Sequence, residues 1–371
     1  MKVALYPHET GSGSETYCRE LAGELSGTDI TPVAIGDTRP SNDDIEWVET
    51  QPVTTPVPLL RQRRAAARLS SALAGVDVDL LHLANPSILP FLDRTLPTVV
   101  TAWFHPPRFL AGLRTAYRSY PRLRSQMPLQ VVRRGVLQLL DRRGYRQAAH
   151  TVAVTRELDE ALRGHGYDAS YVPPGISVDT AGTWEAPSSD DRDLLYVAAS
   201  VSNARKNFPA LLDIAERLRD GYDDGAVRVH VVGEHEAHQA DRVRDRSLGG
   251  TVTLHGRVPR EELFEMYVTH DCLLAPSRYE EFGYAVLEAM AHGLPVVGAD
   301  IHAFRDLLGG DAGVLSDATS PEVFAADVAA LLRDEDRQQR ISTAAMDRVD
   351  QRYDWATVVT ELRDLYADAV A

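Results

Sequence analysis

The sequence predicts an α/β protein built from two doubly wound, Rossmann-like domains that face a central cleft. Short apolar runs suited to buried parallel strands alternate with helical patterns along the whole chain. That alternation breaks once, at Val172-Pro173-Pro174-Gly175 and the polar stretch that follows to Asp193, where Pro and Gly mark a linker. At 371 residues, 44% of them apolar, the chain is also long enough for two separate cores.

The first half opens with the buried-strand pattern VALY at 3–6, and further strands are expected at 31–35, 79–83, 98–101 and 151–154. Helical patterns fall between them at 14–25, 60–73, 130–145 and 156–164. After the linker, strands are expected at 194–198, 228–232, 251–254, 272–275 and 295–298, with a long helical tail from Pro321. The expected domains are 1–173 and 174–352, and residues 353–371 form a closing helix. Ligands of such sheets bind at the C-terminal ends of the strands.

No apolar run is long enough to span a bilayer, and the start MKVALYPHET is too brief for a signal-peptide core, so a cytoplasmic protein is expected. Cys18 and Cys272 lie in different halves in apolar contexts, which predicts reduced, buried thiols. The net charge is −15, and of 39 basic residues only Lys2 and Lys206 are lysine. An aspartate-rich, lysine-poor surface stays hydrated at high salt and predicts a halophilic source. Lys206 then stands out, kept where a strand turns into a helix within ASVSNARKNF.

The most informative block is EEFGYAVLEAMAHGLP, residues 280–295. Glu280 and Glu281 precede a helical pattern at 284–291 that Gly293 and Pro295 close. Amides around Gly283, Tyr284 and Ala285, with the positive end of the helix dipole, make a phosphate site. Gly283 would let the chain come close to that phosphate. Glu288 lies one turn further in, roughly 6 Å along the axis, a reach suited to ribose hydroxyls. Glu280 would face the group on the other side of the phosphate, and the layout suits a nucleotide-sugar.

This E-x7-E block, with Phe282-Gly283 inside it and L-E-A-M-A-x-G-x-P-V-V running on, resembles the signature of the retaining family-4 glycosyltransferases, which have the GT-B fold. The resemblance implies that Glu280 contacts hydroxyls of the donor sugar and Glu288 the ribose. Glu281 departs from the family's usual Gly, and Tyr284-Ala285 from its Leu-Pro. The family's V-G-R segment is Ala198-Ala199-Ser200 here, so Lys206 carries over directly while Arg205 would substitute for the missing arginine. Together these cations would neutralise a departing diphosphate without metal. Near the start, Gly11 and Gly13 resemble the family's G-G-x-E loop with Ser12 inserted. His105, in TAWFHPPRF, matches a histidine that meets the donor sugar, whereas His82 reads as a satisfied buried residue. Arg257 and Val258, after a Gly turn, are implied to pair with the base through main-chain atoms.

Two patterns are decoys. Asp77-Val78-Asp79 matches a metal-holding D-x-D but precedes a strand in a wound domain, and His235 with His238 lacks a third ligand, so no metal and no cofactor is expected. Between Arg108 and Arg146 there are ten arginines against the single acid Asp141, interleaved with apolar residues. That composition suits anionic lipid headgroups, and hence a peripheral position on the inner membrane face beside a polyprenyl- or dolichyl-phosphate-linked acceptor. Self-pairing with acids elsewhere is the alternative; nucleic acid is not expected.

The resemblance therefore implies a retaining glycosyltransferase that moves a sugar from a nucleoside-diphosphate sugar to an acceptor hydroxyl in lipid-linked glycan, N-glycan or polysaccharide assembly. The alternative is a catalytically degenerate GT-B protein that binds a nucleotide-sugar or partners an active transferase. A sugar-nucleotide epimerase on the same fold fits the E-x7-E block less well.

Overall fold

A computed structural model describes residues 1–7, 13–39, 42–53, 55, 57–93, 96–104, 127–177, 182–186, 189–222 and 226–371. The chain divides into two units. The described residues of unit 1 fall in 1–104, 127–177 and 352–371, and those of unit 2 in 182–351.

Unit 1 contains β1 (Lys2–Tyr6), α1 (Gly13–Leu25), β2 (Thr31–Gly36), β3 (Glu46–Glu49), α2 (Pro58–Leu73), β4 (Leu80–Leu83), β5 (Thr98–Ala102), α3 (Met127–Gln147), β6 (His150–Ala153), α4 (Arg156–Gly164) and β7 (Ala169–Tyr171). Its strands form one sheet in the order β3-β2-β1-β4-β5-β6-β7, and every pairing is parallel. Unit 2 contains β8 (Arg192–Ser200), α5 (Phe208–Gly221), β9 (Val227–Glu234), α6 (Ala237–Asp245), β10 (Val252–Gly256), α7 (Arg260–Thr269), β11 (Cys272–Ala275), α8 (Tyr284–Ala291), β12 (Val296–Ala299), α9 (His302–Leu308), β13 (Val314–Ser316), α10 (Pro321–Leu332) and α11 (Glu335–Arg348). Its sheet runs β10-β9-β8-β11-β12-β13, again all parallel. The winding direction reverses between β8 and β11, which is where such a sheet opens a crevice.

The helices start where the sequence supplies caps. Pro occupies the first turn of α2, α5 and α10, where its missing N–H costs nothing. Thr155 and Ser320 accept amide hydrogen bonds at the starts of α4 and α10. In unit 2, Phe208 and Leu211 of α5 share one buried cluster with Phe324 and Val328 of α10.

Three strands were not expected from the sequence. β3 is half-exposed at a sheet edge, and β7 and β13 have only three residues each, too few for a periodic signal. The expected long helical tail is also broken. Asp334 caps α11, a π turn follows at Val349–Tyr353, and Asp354 caps α12 (Trp355–Val370). α12 belongs to unit 1, where it buries Trp355, Val358, Val359, Leu362 and Tyr366. Gly175 is required there, because a Cβ on it would lie 2.3 Å from the Trp355 ring. His82 is buried and satisfied on both nitrogens: Nδ1 lies 2.5 Å from the Tyr366 hydroxyl and Nε2 2.6 Å from Thr101 Oγ1. Cys18 and Cys272 are buried free thiols.

Candidate functional site

The described part of the site lies in unit 2, on the loops that leave β8 and β11 beside the winding reversal. After β8 the chain makes a 3-10 turn at Ala204–Lys206, capped by the Asn203 side chain, which accepts from the Arg205 amide at 3.1 Å. Asn207 then takes a left-handed conformation (φ 60°), which Asn tolerates better than most residues, and α5 begins. The two loops are tied together. Asn207 Nδ2 donates to the Pro276 carbonyl at 2.9 Å, and the Arg278 amide donates to the Arg205 carbonyl at 2.8 Å. Tyr196 of β8 donates to the Lys206 carbonyl at 3.0 Å.

This scaffold aims two cations at two carboxylates. Lys206 Nζ lies 2.7 Å from Glu280 Oε1, which also accepts from the Ser277 hydroxyl at 2.7 Å. Arg205 pairs with Glu281 at 2.5 Å and lies over the Tyr279 ring at 5.7 Å. Burial pulls the Arg205 pKa down, but Glu281 and Glu280 together outweigh it and hold the guanidinium above its ordinary value. Lys206, Glu280, Gly283 and Ala285 line one cavity.

Gly283 is the N-cap of α8, with φ 109°. The expectation was that its missing side chain admits a phosphate. In the structure the Cβ direction is filled instead, since a Cβ would lie 2.7 Å from the Phe304 ring. Glycine is thus needed for its dihedral and for packing, and a ligand would meet the first-turn amides of Tyr284 and Ala285 along the helix axis. Phe282 is 2% exposed and packs edge-on against Tyr284 at 5.3 Å, so its side chain supports the loop rather than facing a ligand. Glu288, half-buried, accepts from the Tyr267 hydroxyl at 2.9 Å. Burial first, then Glu288, raises the Tyr267 pKa well above its usual value and keeps it a donor.

Arg257 and Val258 follow β10, two strands from β8 and so roughly 10 Å away by strand spacing. The Arg257 side chain is exposed and pairs with Glu234 at 2.9 Å. Gly13 begins α1 in unit 1, while Gly11 and His105 lie outside the described residues. Ser277 and Tyr267, which orient the two glutamates, were missed by sequence reasoning, because neither stands in a motif.

Among the described residues no group of three or more His, Cys, Asp or Glu could hold a metal ion. Asp79 accepts from the Lys2 amide at 2.7 Å, and His238 lies 3.4 Å from Glu236. No helix of the described residues is long and apolar enough to cross a membrane.

The basic segment is described from residue 127 onward. One of its arginines corrects the expectation of a surface array: Arg134 is buried, 3.1 Å from Asp141 and 4.1 Å from the Phe104 ring centre. Burial pushes the Asp141 carboxyl up to about 6 against the pull of Arg134. The outer side of α3 is different. Leu129, Val132 and Leu139 are 70%, 65% and 62% exposed, and Leu139 lines a groove with Leu59 of α2, Arg142, Arg143 and Arg146.

Two parallel, doubly wound sheets with an acid- and cation-lined loop at the switch of the second define the class as GT-B, and solved structures agree. Sucrose-phosphate synthase from Thermosynechococcus elongatus superposes with a TM-score of 0.79 at 16% identity, over 99% of this chain and 98% of that one. Anabaena HepE, solved in complex with UDP and glucose, gives 0.69 at 16% identity over 99% of each chain. Residues 11–180 match the family described as Glycosyltransferase Family 4, and residues 191–334 that described as Glycosyl transferases group 1. The chain belongs to this family of glycosyltransferases.

Among curated relatives, a D-inositol 3-phosphate glycosyltransferase of Corynebacterium urealyticum is 26% identical over 281 residues, 71% of this chain and 65% of that protein. A phosphatidyl-myo-inositol mannosyltransferase of Mycobacterium leprae is 30% identical over 209 residues, 54% of each. The chain thus spans between half and two thirds of the length of these two relatives.

Proposed function

We propose that the protein transfers a sugar from a nucleoside-diphosphate sugar to an acceptor hydroxyl with retention of anomeric configuration. The observation that carries this reading is the Lys206–Glu280 pair, set by Ser277 at the switch-point loop with Glu288 one helical turn further on. In the reaction the bond from the anomeric carbon to the diphosphate breaks and a bond to the acceptor oxygen forms. The acceptor proton passes to the departing phosphate oxygen. Lys206, Arg205 and the start of α8 stabilise the charge that develops there, so no metal ion is required. A donor of the UDP-sugar type is supported by HepE having been solved with UDP and glucose.

The acceptor carries a phosphate and is presented on a lipid. The relative named for inositol 3-phosphate supports the phosphate, and the one named for phosphatidyl-myo-inositol supports the lipid, as do the exposed leucines, valine and arginines of α3. An assembly step in a lipid-linked glycan, N-glycan or polysaccharide, at the inner membrane face, follows from that acceptor.

The test is kinetic. Glu288→Ala and Lys206→Ala each lose donor binding or turnover by orders of magnitude; near-normal kinetics in both overturns the proposal. Ala198-Ala199-Ser200, where the resemblance places an arginine, favours a second reading as a binding-only protein. Absence of even slow donor hydrolysis together with tight UDP binding would decide for it.

A further inference from the structure

The two cations of the site are held by carboxylates of unequal freedom. Glu280 is 7% exposed and is fixed by Ser277 as well as by Lys206. The Glu281 side chain keeps 25% exposure, and Arg205 holds it. Arg205 is anchored at its backbone, where its carbonyl accepts from the Arg278 amide and its amide donates to the Asn203 side chain, and its guanidinium lies over the Tyr279 ring.

Resting on the transferase reading above, we propose that Glu281 is a built-in counter-carboxylate, which occupies Arg205 until the diphosphate of the donor displaces it. A guanidinium donates its N–H groups equally well to carboxylate or phosphate oxygens, so the exchange needs movement of one side chain. Without it, Arg205 and Lys206 are already neutralised by Glu280 and Glu281, and a diphosphate would enter a site with no spare positive charge among these four groups. Glu281 is also the position where E-x7-E departs from the glycine of the related pattern. The carboxylate therefore lowers donor affinity and speeds release of the nucleoside diphosphate, since Arg205 regains a partner as the product leaves.

Isothermal titration of UDP, GDP, uridine and guanosine into the wild-type protein and Glu281→Gln tests this. Glutamine keeps the size and removes the charge. The variant binds the diphosphate about tenfold tighter and the nucleosides unchanged. In an Arg205→Gln background the same change has no effect. Equal or weaker diphosphate binding, tightening shared by the nucleosides, or tightening that appears only with added magnesium overturns the proposal. If no nucleotide binds either protein, the transferase reading falls and takes the counter-carboxylate with it; an unchanged diphosphate affinity sinks the counter-carboxylate alone.

Discussion

Lys206 and Glu280 form a 2.7 Å ion pair whose carboxylate is 7% exposed. Removing the cation leaves a buried carboxylate without its ion-pair partner, with only the Ser277 hydroxyl and the more distant Arg205 to offset it, so Lys206→Met costs about 3 kcal/mol of stability. Lys206→Met/Glu280→Gln recovers most of it while remaining inactive. Urea unfolding alongside turnover separates the two effects, and a single variant as stable as wild type contradicts the pairing.

Tyr267→Phe deletes the hydroxyl that orients Glu288 and nothing else. The loss is about 1 kcal/mol, read as a roughly fivefold rise in donor KM with kcat little changed. An unchanged KM would show that Glu288 does not bind the donor.

Gly283→Ala meets both an unfavourable dihedral and the Phe304 ring. Each contributes about 1 to 3 kcal/mol. Adding Phe304→Leu relieves the contact but not the dihedral, so thermal unfolding recovers partly; full recovery would deny the backbone contribution.

Acid sensitivity has opposing sources. Burial lowers His82 to about 3 and His270 to about 4, so between pH 6.5 and these values the unfolded chain binds protons that the folded one refuses, and stability falls as pH falls. Asp141 and Asp271, raised to about 6 chiefly by burial, act in the other direction between pH 6 and 4. His82→Gln isolates one contribution. The difference between wild type and variant changes by about 1.4 kcal/mol per pH unit below 6.5, and a flat difference refutes the buried neutral imidazole.

Vesicles containing phosphatidylglycerol bind the protein and phosphatidylcholine vesicles do not. At about 1 kcal/mol per arginine near the surface, Arg142→Gln/Arg143→Gln weakens binding about thirtyfold. Flotation of the wild type with neither vesicle removes the lipid from the acceptor.

The sequence carried those features that depend on neighbours along the chain. Strand β11 and helix α8 fall at the bounds expected from their apolar run and from Gly293 and Pro295. The parallel, doubly wound order followed from the alternation of elements. What could not be read were relationships across sequence distance: Tyr267 on Glu288, Arg205 on Glu281, and which arginine of the basic run turns inward, Arg134 against Asp141 and Phe104. β3 escaped because a half-exposed edge strand such as EWVE has no apolar face to betray it. Gly283 stood out from its place in the block, whereas the Phe304 ring that fills its Cβ direction lies on another helix.

Because α12 completes unit 1, the ribosome delivers the last piece of that unit only after all of unit 2 has been made. Domains ordinarily fold in the order of synthesis. Here all of unit 2 is synthesised before unit 1 is complete, so the surface of Tyr17, His82 and Gly175 lacks its cover until Trp355 and Tyr366 arrive. A nascent chain stalled before residue 352 would accordingly offer chaperones its first half, not its second.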